Sequence, residues 1–133
     1  MIDHLGLPVS DLAKSRAFYE AALLPLGFRL LFEHPISGLG FGRAPMPSFF
    51  IRKGQPVTGL HLAFSAPDRE AVDAFHRAAL AAGGRDNGAP RPRPEYHRGY
   101  YGAFVLDPDG HNVEAVCHTA PCARWGSAFS PRS

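Results

Sequence analysis

Residues 3–27 read DHLGLPVSDLAKSRAFYEAALLPLG. Residues 60–84 read LHLAFSAPDREAVDAFHRAALAAGG and align with the first stretch without a gap. The residues that are identical in the two stretches are His4/His61, Leu5/Leu62, Asp11/Asp68, Ala17/Ala74, Phe18/Phe75, Ala21/Ala78, Ala22/Ala79, Leu23/Leu80 and Gly27/Gly84. Self-similarity at a fixed offset is the signature of a repeated structural unit. The chain of 133 residues is therefore predicted to contain two copies of one unit.

Each copy begins with a strand-like run and continues with helical periodicity. Ser10 and Ser65 are predicted to cap the N-termini of the two helices, and Gly27 and Gly84 are predicted to end them. Short strand-like runs then follow at 28–33, 38–43 and 48–52, and in the second copy near residue 85, at 100–106 and at 111–118. We predict an α+β fold in which two βαβββ modules, residues 1–56 and 57–118, form a curved mixed sheet around a central cavity. Residues 1–118 would form a single domain, and residues 119–133 an irregular tail.

The composition excludes several classes of protein. A hydrophobic content of 45% and a charged content of 20% are ordinary for a globular chain. The net charge of +2 predicts no nucleic-acid partner, and no apolar run suggests a targeting segment or a membrane span. Two cysteines, Cys117 and Cys122, are too few for a disulfide framework, so we expect a cytoplasmic protein.

The stretch VLDPDGHNVEAVC at 105–117 places one carboxylate, Glu114, in a strand that otherwise reads as buried. Its turn predicts a bulged hairpin with Gly110 in the left-handed conformation. With that bulge, Phe104 lies opposite Glu114 and Tyr100 shares the same face. Without the bulge the register shifts by one, and Tyr101 and Ala103 take those places.

Alternation along the strands directs His4 and His61 away from the helices, as it does Glu114. Two imidazoles and a carboxylate are a set that binds a divalent cation and leaves coordination positions open. Alternatively, each residue is structural and is satisfied by hydrogen bonds. The other histidines considered, His34, His76, His97 and His111, are expected to be exposed to solvent.

Three segments, 2–23, 59–84 and 100–116, resemble the vicinal oxygen chelate superfamily, which includes glyoxalase I, bleomycin-resistance proteins, fosfomycin-resistance transferases and extradiol dioxygenases. The resemblance spans about residues 2–118. It implies a metal held by His4, His61 and Glu114, with Fe, Mn, Ni or Zn as candidates. Glyoxalase I commonly adds a carboxylate on the last strand of the first module, where this chain offers Phe50.

The resemblance implies a metal-dependent enzyme of the glyoxalase or dioxygenase type that acts on a small substrate with neighbouring oxygens. The metal would act as a Lewis acid, and Glu114 could shuttle a proton. The alternative is a metal-free protein that binds and sequesters a small molecule, as bleomycin-resistance proteins do. Family members often form homodimers, and some build each site from two chains.

The Pro-, Arg- and Tyr-rich segment 84–102 is predicted to be a substrate-facing loop. A transferase would need cations for a phosphonate, and the candidates are Arg52, Arg91, Arg93 and Arg98. The predicted catalytic residues are Glu114, Tyr100 and Tyr101, and a dioxygenase could also use His97 to handle protons. The predicted substrate-binding residues are Phe50, Arg52, His97, Arg98 and Phe104.

Overall fold

The computed structural model describes residues 1–118, and the predicted tail at 119–133 lies outside the described residues. The first half contains β1 (Leu5–Val9), α1 (Leu12–Leu23), a 3-10 turn (Leu24–Leu26), β2 (Arg29–His34), β3 (Gly38–Arg43) and β4 (Met46–Lys53). The second half contains β5 (His61–Ser65), α2 (Arg69–Ala81), β6 (Arg85–Pro92), β7 (Tyr101–Leu106) and β8 (Asn112–Cys117). The prediction of an α+β chain with two βαβββ units is confirmed.

Each unit forms a four-stranded mixed sheet. The strand orders are β1-β4-β3-β2 and β5-β8-β7-β6, so the two sheets have the same topology. In both sheets the first strand lies parallel to the last strand of its unit, and the remaining neighbours are antiparallel. The parallel pairing of β5 with β8 brings His61 and Glu114 to neighbouring strands.

Both helix starts differ by one or more residues from the sequence prediction. Asp11 caps α1 by accepting a hydrogen bond from the backbone N–H of Lys14 at 3.1 Å, and Asp68 caps α2 by accepting one from Ala71 at 2.8 Å. A carboxylate at the N-cap also interacts favourably with the helix dipole. Ser10 instead donates its hydroxyl to Asp109 in the second half of the chain. The predicted caps at Ser10 and Ser65 were therefore wrong.

Part of the predicted loop at 84–102 forms the strand β6. Its pairing with β7 shifts register on both sides of Gly88, and β6 lies at the edge of its sheet. An edge strand tolerates proline because its outer backbone groups need no partner. The prolines that suggested a loop throughout are thus compatible with a strand up to Pro92, and residues 93–100 form the connection to β7.

One apolar core joins the two halves. Phe18, Tyr19 and Leu23 of α1 are fully buried with Val72 and Phe75 of α2. Aromatic contacts cross between the sheets, since the rings of Phe49 and Phe64 lie 5.2 Å apart. This packing covers one face of each sheet and leaves His61, Ala63 and Ser65 exposed on the opposite face of β5. We call that side of the second sheet the helix-free face. No helix in the described part of the chain has the length and apolarity needed to cross a membrane.

Candidate functional site

Glu114 is the centre of a polar cluster on the helix-free face. Its neighbours Val113 and Ala115 point into the core, so the alternation of β8 directs Glu114 the other way. Glu114 is only 1% exposed, but each of its two carboxylate oxygens accepts a hydrogen bond from a side chain of the protein. Nε2–H of His61 donates to Oε1 over 2.9 Å, and the hydroxyl of Tyr100 donates to Oε2. The carboxylate is therefore buried but fully hydrogen-bonded within the chain.

The hairpin between β7 and β8 sets this geometry. Gly110 has a φ of 87°, and its N–H donates to the carbonyl of Asp107 over 2.9 Å. Phe104 then pairs with Glu114 across the strands, as the bulged register predicted. A Cβ at Gly102 would lie 3.0 Å from Oε2 of Glu114 and 3.1 Å from the ring of Tyr100. The glycine thus leaves room for the hydrogen bond between those two side chains.

Tyr100 keeps its proton in this cluster. Burial, followed by the hydrogen bond to Glu114, raises the pKa of Tyr100 well above its ordinary value, and only the positive charge of Arg93 opposes that shift. The phenol is consequently a hydrogen-bond donor at neutral pH, and a strong base would be needed to ionise it.

Aromatic and basic side chains surround the cluster. The ring of Phe104 lies 5.8 Å from that of His61, and the guanidinium carbon of Arg93 lies over the ring of Phe104, 4.7 Å from its centroid. Beside Tyr100, Nε2 of His97 and Nδ1 of His118 are hydrogen-bonded at 2.9 Å. The exposed Arg98 neighbours His97, whose Nδ1 contacts its carbonyl oxygen at 2.7 Å.

The sequence prediction named Arg93 only as one of four candidate cations for a phosphonate, and it did not name His118. His118 could have been found, because it follows Glu114 by four residues and therefore has the same parity in an extended strand. The position of Arg93 over Phe104 could not be predicted, since Arg93 lies in the connection after β6 and its position depends on how that connection folds.

The remaining predicted site residues lie elsewhere in the described chain. His4 precedes β1 in the first sheet, where its side chain is 62% exposed, contacts Asp3 at 2.6 Å and lies 5.8 Å from the ring of Phe50. Arg52 is exposed on β4 of the same sheet. Tyr101 points to the opposite side of the second sheet and donates its hydroxyl to Asp73 of α2 over 2.7 Å. Burial, with that hydrogen bond, raises the pKa of Tyr101 to about 12.

The donor atoms of a single chain do not make the predicted three-ligand metal set. Within residues 1–118, no three side chains of the His, Cys, Asp and Glu types come close enough to share a cation. His61 and Glu114 are adjacent, whereas His4 belongs to the other sheet. A chelate of two histidines and a carboxylate therefore does not form within residues 1–118 of one chain in this arrangement.

His111 is buried, and the prediction that it is exposed was wrong. It is 2% exposed because the hairpin folds it under the turn, where Nδ1 contacts Asp107 at 2.8 Å and Nε2 contacts the carbonyl of Val57 at 3.2 Å. Asp107 also accepts the hydroxyl of Tyr19 from the first half of the chain. This cluster lies away from Glu114 and holds the two halves together.

The three buried or partly buried tyrosines predict a loss of stability at high pH. Burial first, and then a neighbouring aspartate or glutamate, raises the pKa of Tyr19, Tyr100 and Tyr101, whereas unfolded tyrosine ionises near its ordinary value of about 10. The native state then holds more protons than the unfolded state above about pH 10, so the free energy of unfolding falls there. Urea unfolding between pH 9 and 11.5 measures the slope.

The replacement Tyr100→Phe should make that decline shallower, because the variant has no phenol to ionise at this position. Tyr96→Phe, which changes an exposed tyrosine beside it, is the matched control and should keep the wild-type slope. Equal slopes in the two variants would contradict the role assigned to Tyr100.

The fold and the site together define a class of protein. Paired βαβββ modules present an open sheet face on which a buried carboxylate, an imidazole, a phenol and a guanidinium lie among aromatic rings. A family model, the Glyoxalase/Bleomycin resistance protein/Dioxygenase superfamily, matches residues 1–115. The chain belongs to this superfamily.

Solved structures agree with that assignment. The chain is 35% identical to a glyoxalase/bleomycin resistance protein from Albidiferax ferrireducens T118, with a TM-score of 0.74 and coverage of 86% of this chain and 96% of that chain. It is 23% identical to a glyoxalase/bleomycin resistance protein/dioxygenase family enzyme from Burkholderia phytofirmans PsJN, with a TM-score of 0.61 and coverage of 86% and 96%, a likeness that shows the fold alone. No curated protein matches the chain significantly.

Proposed function

We propose that this protein binds a small molecule on the helix-free face of its second sheet, without a metal, and sequesters it. The observation that carries the proposal is the state of Glu114, which is buried while both its oxygens accept hydrogen bonds from side chains of the same chain. Hydrogen bonds to an ionised carboxylate are about twice as strong as those between neutral groups. The chain therefore offsets the burial cost of Glu114 with its own donors.

The same cluster supplies the contacts that a small ligand needs. The side chain of His61 is 50% exposed, so one side of its ring is free to meet a ligand while Nε2 stays on Glu114. The ring of Phe104 packs next to it and is 8% exposed, and the rings of His97 and Tyr100 flank the opposite end. Binding sites combine apolar and aromatic surface with a few fixed polar groups, which is the composition found here.

A second candidate, a metal-dependent enzyme of the glyoxalase or dioxygenase type, is favoured by the position of His4. Its ring is exposed beside Phe50 on the first sheet, at the place that corresponds to His61 on the second. In a homodimer, His4 of one copy could join His61 and Glu114 of the other. The bound metal would supply Lewis-acid chemistry to a substrate with neighbouring oxygens. We also predict, as part of this candidate, that the protein is a homodimer and is cytoplasmic.

Binding to metal-free protein tests the first proposal. Protein prepared with a chelator is titrated with a set of small planar aromatic compounds, and binding is followed by two-dimensional NMR. We expect perturbed resonances for His61, Tyr100 and Phe104, and at least tenfold weaker binding in His61→Ala. His34→Ala removes an exposed histidine of the first sheet and should bind as the wild type does.

Metal dependence separates the two candidates. Adding Fe(II), Mn(II), Ni(II) or Zn(II) to the metal-free protein should leave ligand affinity unchanged if the protein sequesters its ligand without metal. Binding that appears only after metal addition, together with stoichiometric metal uptake that His4→Ala abolishes, would overturn the first proposal in favour of the second.

A further inference from the structure

Arg93 is a buried cation beside the Glu114 cluster. It is 6% exposed, and no carboxylate of the described residues lies within salt-bridge distance of it. Residues 119–133 contain no Asp or Glu side chain that could supply one. Arginine is rarely buried unless it is paired, because removing a charge from water is costly. Glu95 is near enough for the charge of Arg93 to help lower its pKa, but it forms its salt bridge with Arg91 instead. A buried guanidinium that forms no salt bridge within residues 1–118, beside a ligand site, therefore calls for an explanation.

The hydrogen bonds of Arg93 leave one end of the guanidinium available. Nε–H donates to the carbonyl of Gly102 over 3.1 Å, and Nη2–H donates to that of Ala89 over 2.8 Å. Nη1 has no hydrogen-bond partner among residues 1–118. Two carbonyls thus fix the plane of the group and leave the Nη1–H groups available for a further acceptor.

The fixed guanidinium lies next to the residues of the proposed site. Its carbon is 4.7 Å from the centroid of the Phe104 ring, which in turn contacts His61. Gly102, which accepts the bond from Nε, also borders the carboxylate of Glu114. A ligand lying against Phe104 and His61 would therefore have a positive group at one side and the negative Glu114 at another. Arginine in such a fixed orientation matches the planar geometry of a carboxylate.

We propose, resting on the proposed function, that Arg93 selects a ligand which carries an anionic group, of the carboxylate type, on a planar apolar body. The planar body lies against the exposed ring of His61 beside Phe104, and the anion accepts hydrogen bonds from the Nη1–H groups of Arg93. The anion forms the salt bridge that Arg93 does not form with any carboxylate of residues 1–118.

A pair of probes that differ in charge tests this inference. Benzoate and benzamide have nearly the same shape, and their affinities for metal-free wild-type protein are compared by NMR titration. We expect benzoate to bind at least tenfold more tightly than benzamide. In Arg93→Met the preference should disappear, with benzoate weakened at least tenfold and benzamide changed by less than about threefold.

The controls separate ligand selection from a structural role of Arg93. The alternative is that Arg93 only holds β6 to β7 where their register shifts, in which case Arg93→Met would weaken both probes equally. Arg91→Met changes an exposed arginine two residues away that pairs with Glu95, and it should keep the wild-type preference. Urea unfolding of both variants verifies that they are folded.

The outcomes for the two proposals differ. Equal binding of benzoate and benzamide in the wild type would overturn the anion selection by Arg93 and leave the proposed small-molecule site in place. Equal weakening of both probes in Arg93→Met would do the same. Failure of both probes to perturb the site would overturn this inference and count against the proposed function as well.

Discussion

The replacement Asp107→Ala is expected to lower the free energy of unfolding by about 3–5 kcal/mol, because each buried hydrogen-bond donor that loses its acceptor costs about 1–3 kcal/mol. Asp107 is buried and accepts hydrogen bonds from the hydroxyl of Tyr19 at 2.5 Å, from Nδ1 of His111 at 2.8 Å, and from the backbone N–H groups of Asp109 and His111, each at 2.9 Å. Alanine would leave all of these donors without their acceptor.

The effect is expected to be large because this cluster connects the two halves of the chain. Tyr19 belongs to α1, whereas Asp107 and His111 belong to the hairpin between β7 and β8. The imidazole and the phenol are themselves buried, so water cannot easily replace the lost acceptor. The loss therefore affects the contact between the halves as well as the hairpin.

Chemical unfolding by urea measures the change. The control is Asp3→Ala, which removes an exposed aspartate and should alter stability by no more than about 0.5 kcal/mol. A loss below about 1 kcal/mol in Asp107→Ala would show that the cluster contributes little to the connection between the halves.

The replacement Gly38→Ala is the second large effect, with an expected loss of about 3 kcal/mol or more. Gly38 has a φ of 94°, a conformation that costs other residues about 1–2 kcal/mol. In addition, a Cβ there would overlap the carbonyl oxygen of Ile51 on the neighbouring strand and lie 2.9 Å from the Cβ of Arg52. Overpacking of this kind typically adds about 1–3 kcal/mol. Because the overlapping atom is backbone, relief requires β3 and β4 to separate.

Gly110→Ala separates the two contributions to that loss. Gly110 also has a positive φ, 87°, but a Cβ there would meet no atom within 4 Å. Its replacement should cost only about 1–2 kcal/mol, the conformational part alone. Equal losses in the two variants, measured by the same urea unfolding, would contradict the proposed overlap with Ile51.

Part of the candidate site could be predicted from the sequence because it depends on local periodicity. The hairpin signal at 107–110 led to the register that places Phe104 opposite Glu114, and alternation put His61 and Tyr100 on the same face. These positions follow from the period of two in a strand and from the conformation of one glycine.

The partners of His4, Arg93 and His111 could not be predicted in the same way. The side to which His4 points follows from alternation, but its distance from Glu114 depends on how the two sheets are packed. Arg93 and His111 are buried by a connection and a turn, where no periodicity indicates the direction of a side chain. The prediction for His111 relied on the average exposure of histidines at turns and strand ends, and that average was misleading here.

The sequence by itself determined the duplicated βαβββ architecture, since the repeated alternation of strand and helix patterns specifies which elements form and which faces are apolar. It also determined that a carboxylate faces away from the core in β8. Only the tertiary structure decided which side chains share that carboxylate: His61 and Tyr100 reach Glu114, while His4 stays on the other sheet. The physical reason is that the alternation of side chains along a strand decides only which face of its own sheet a residue lies on. The distance between the two sheets is set by the packing of α1 and α2 into the common core.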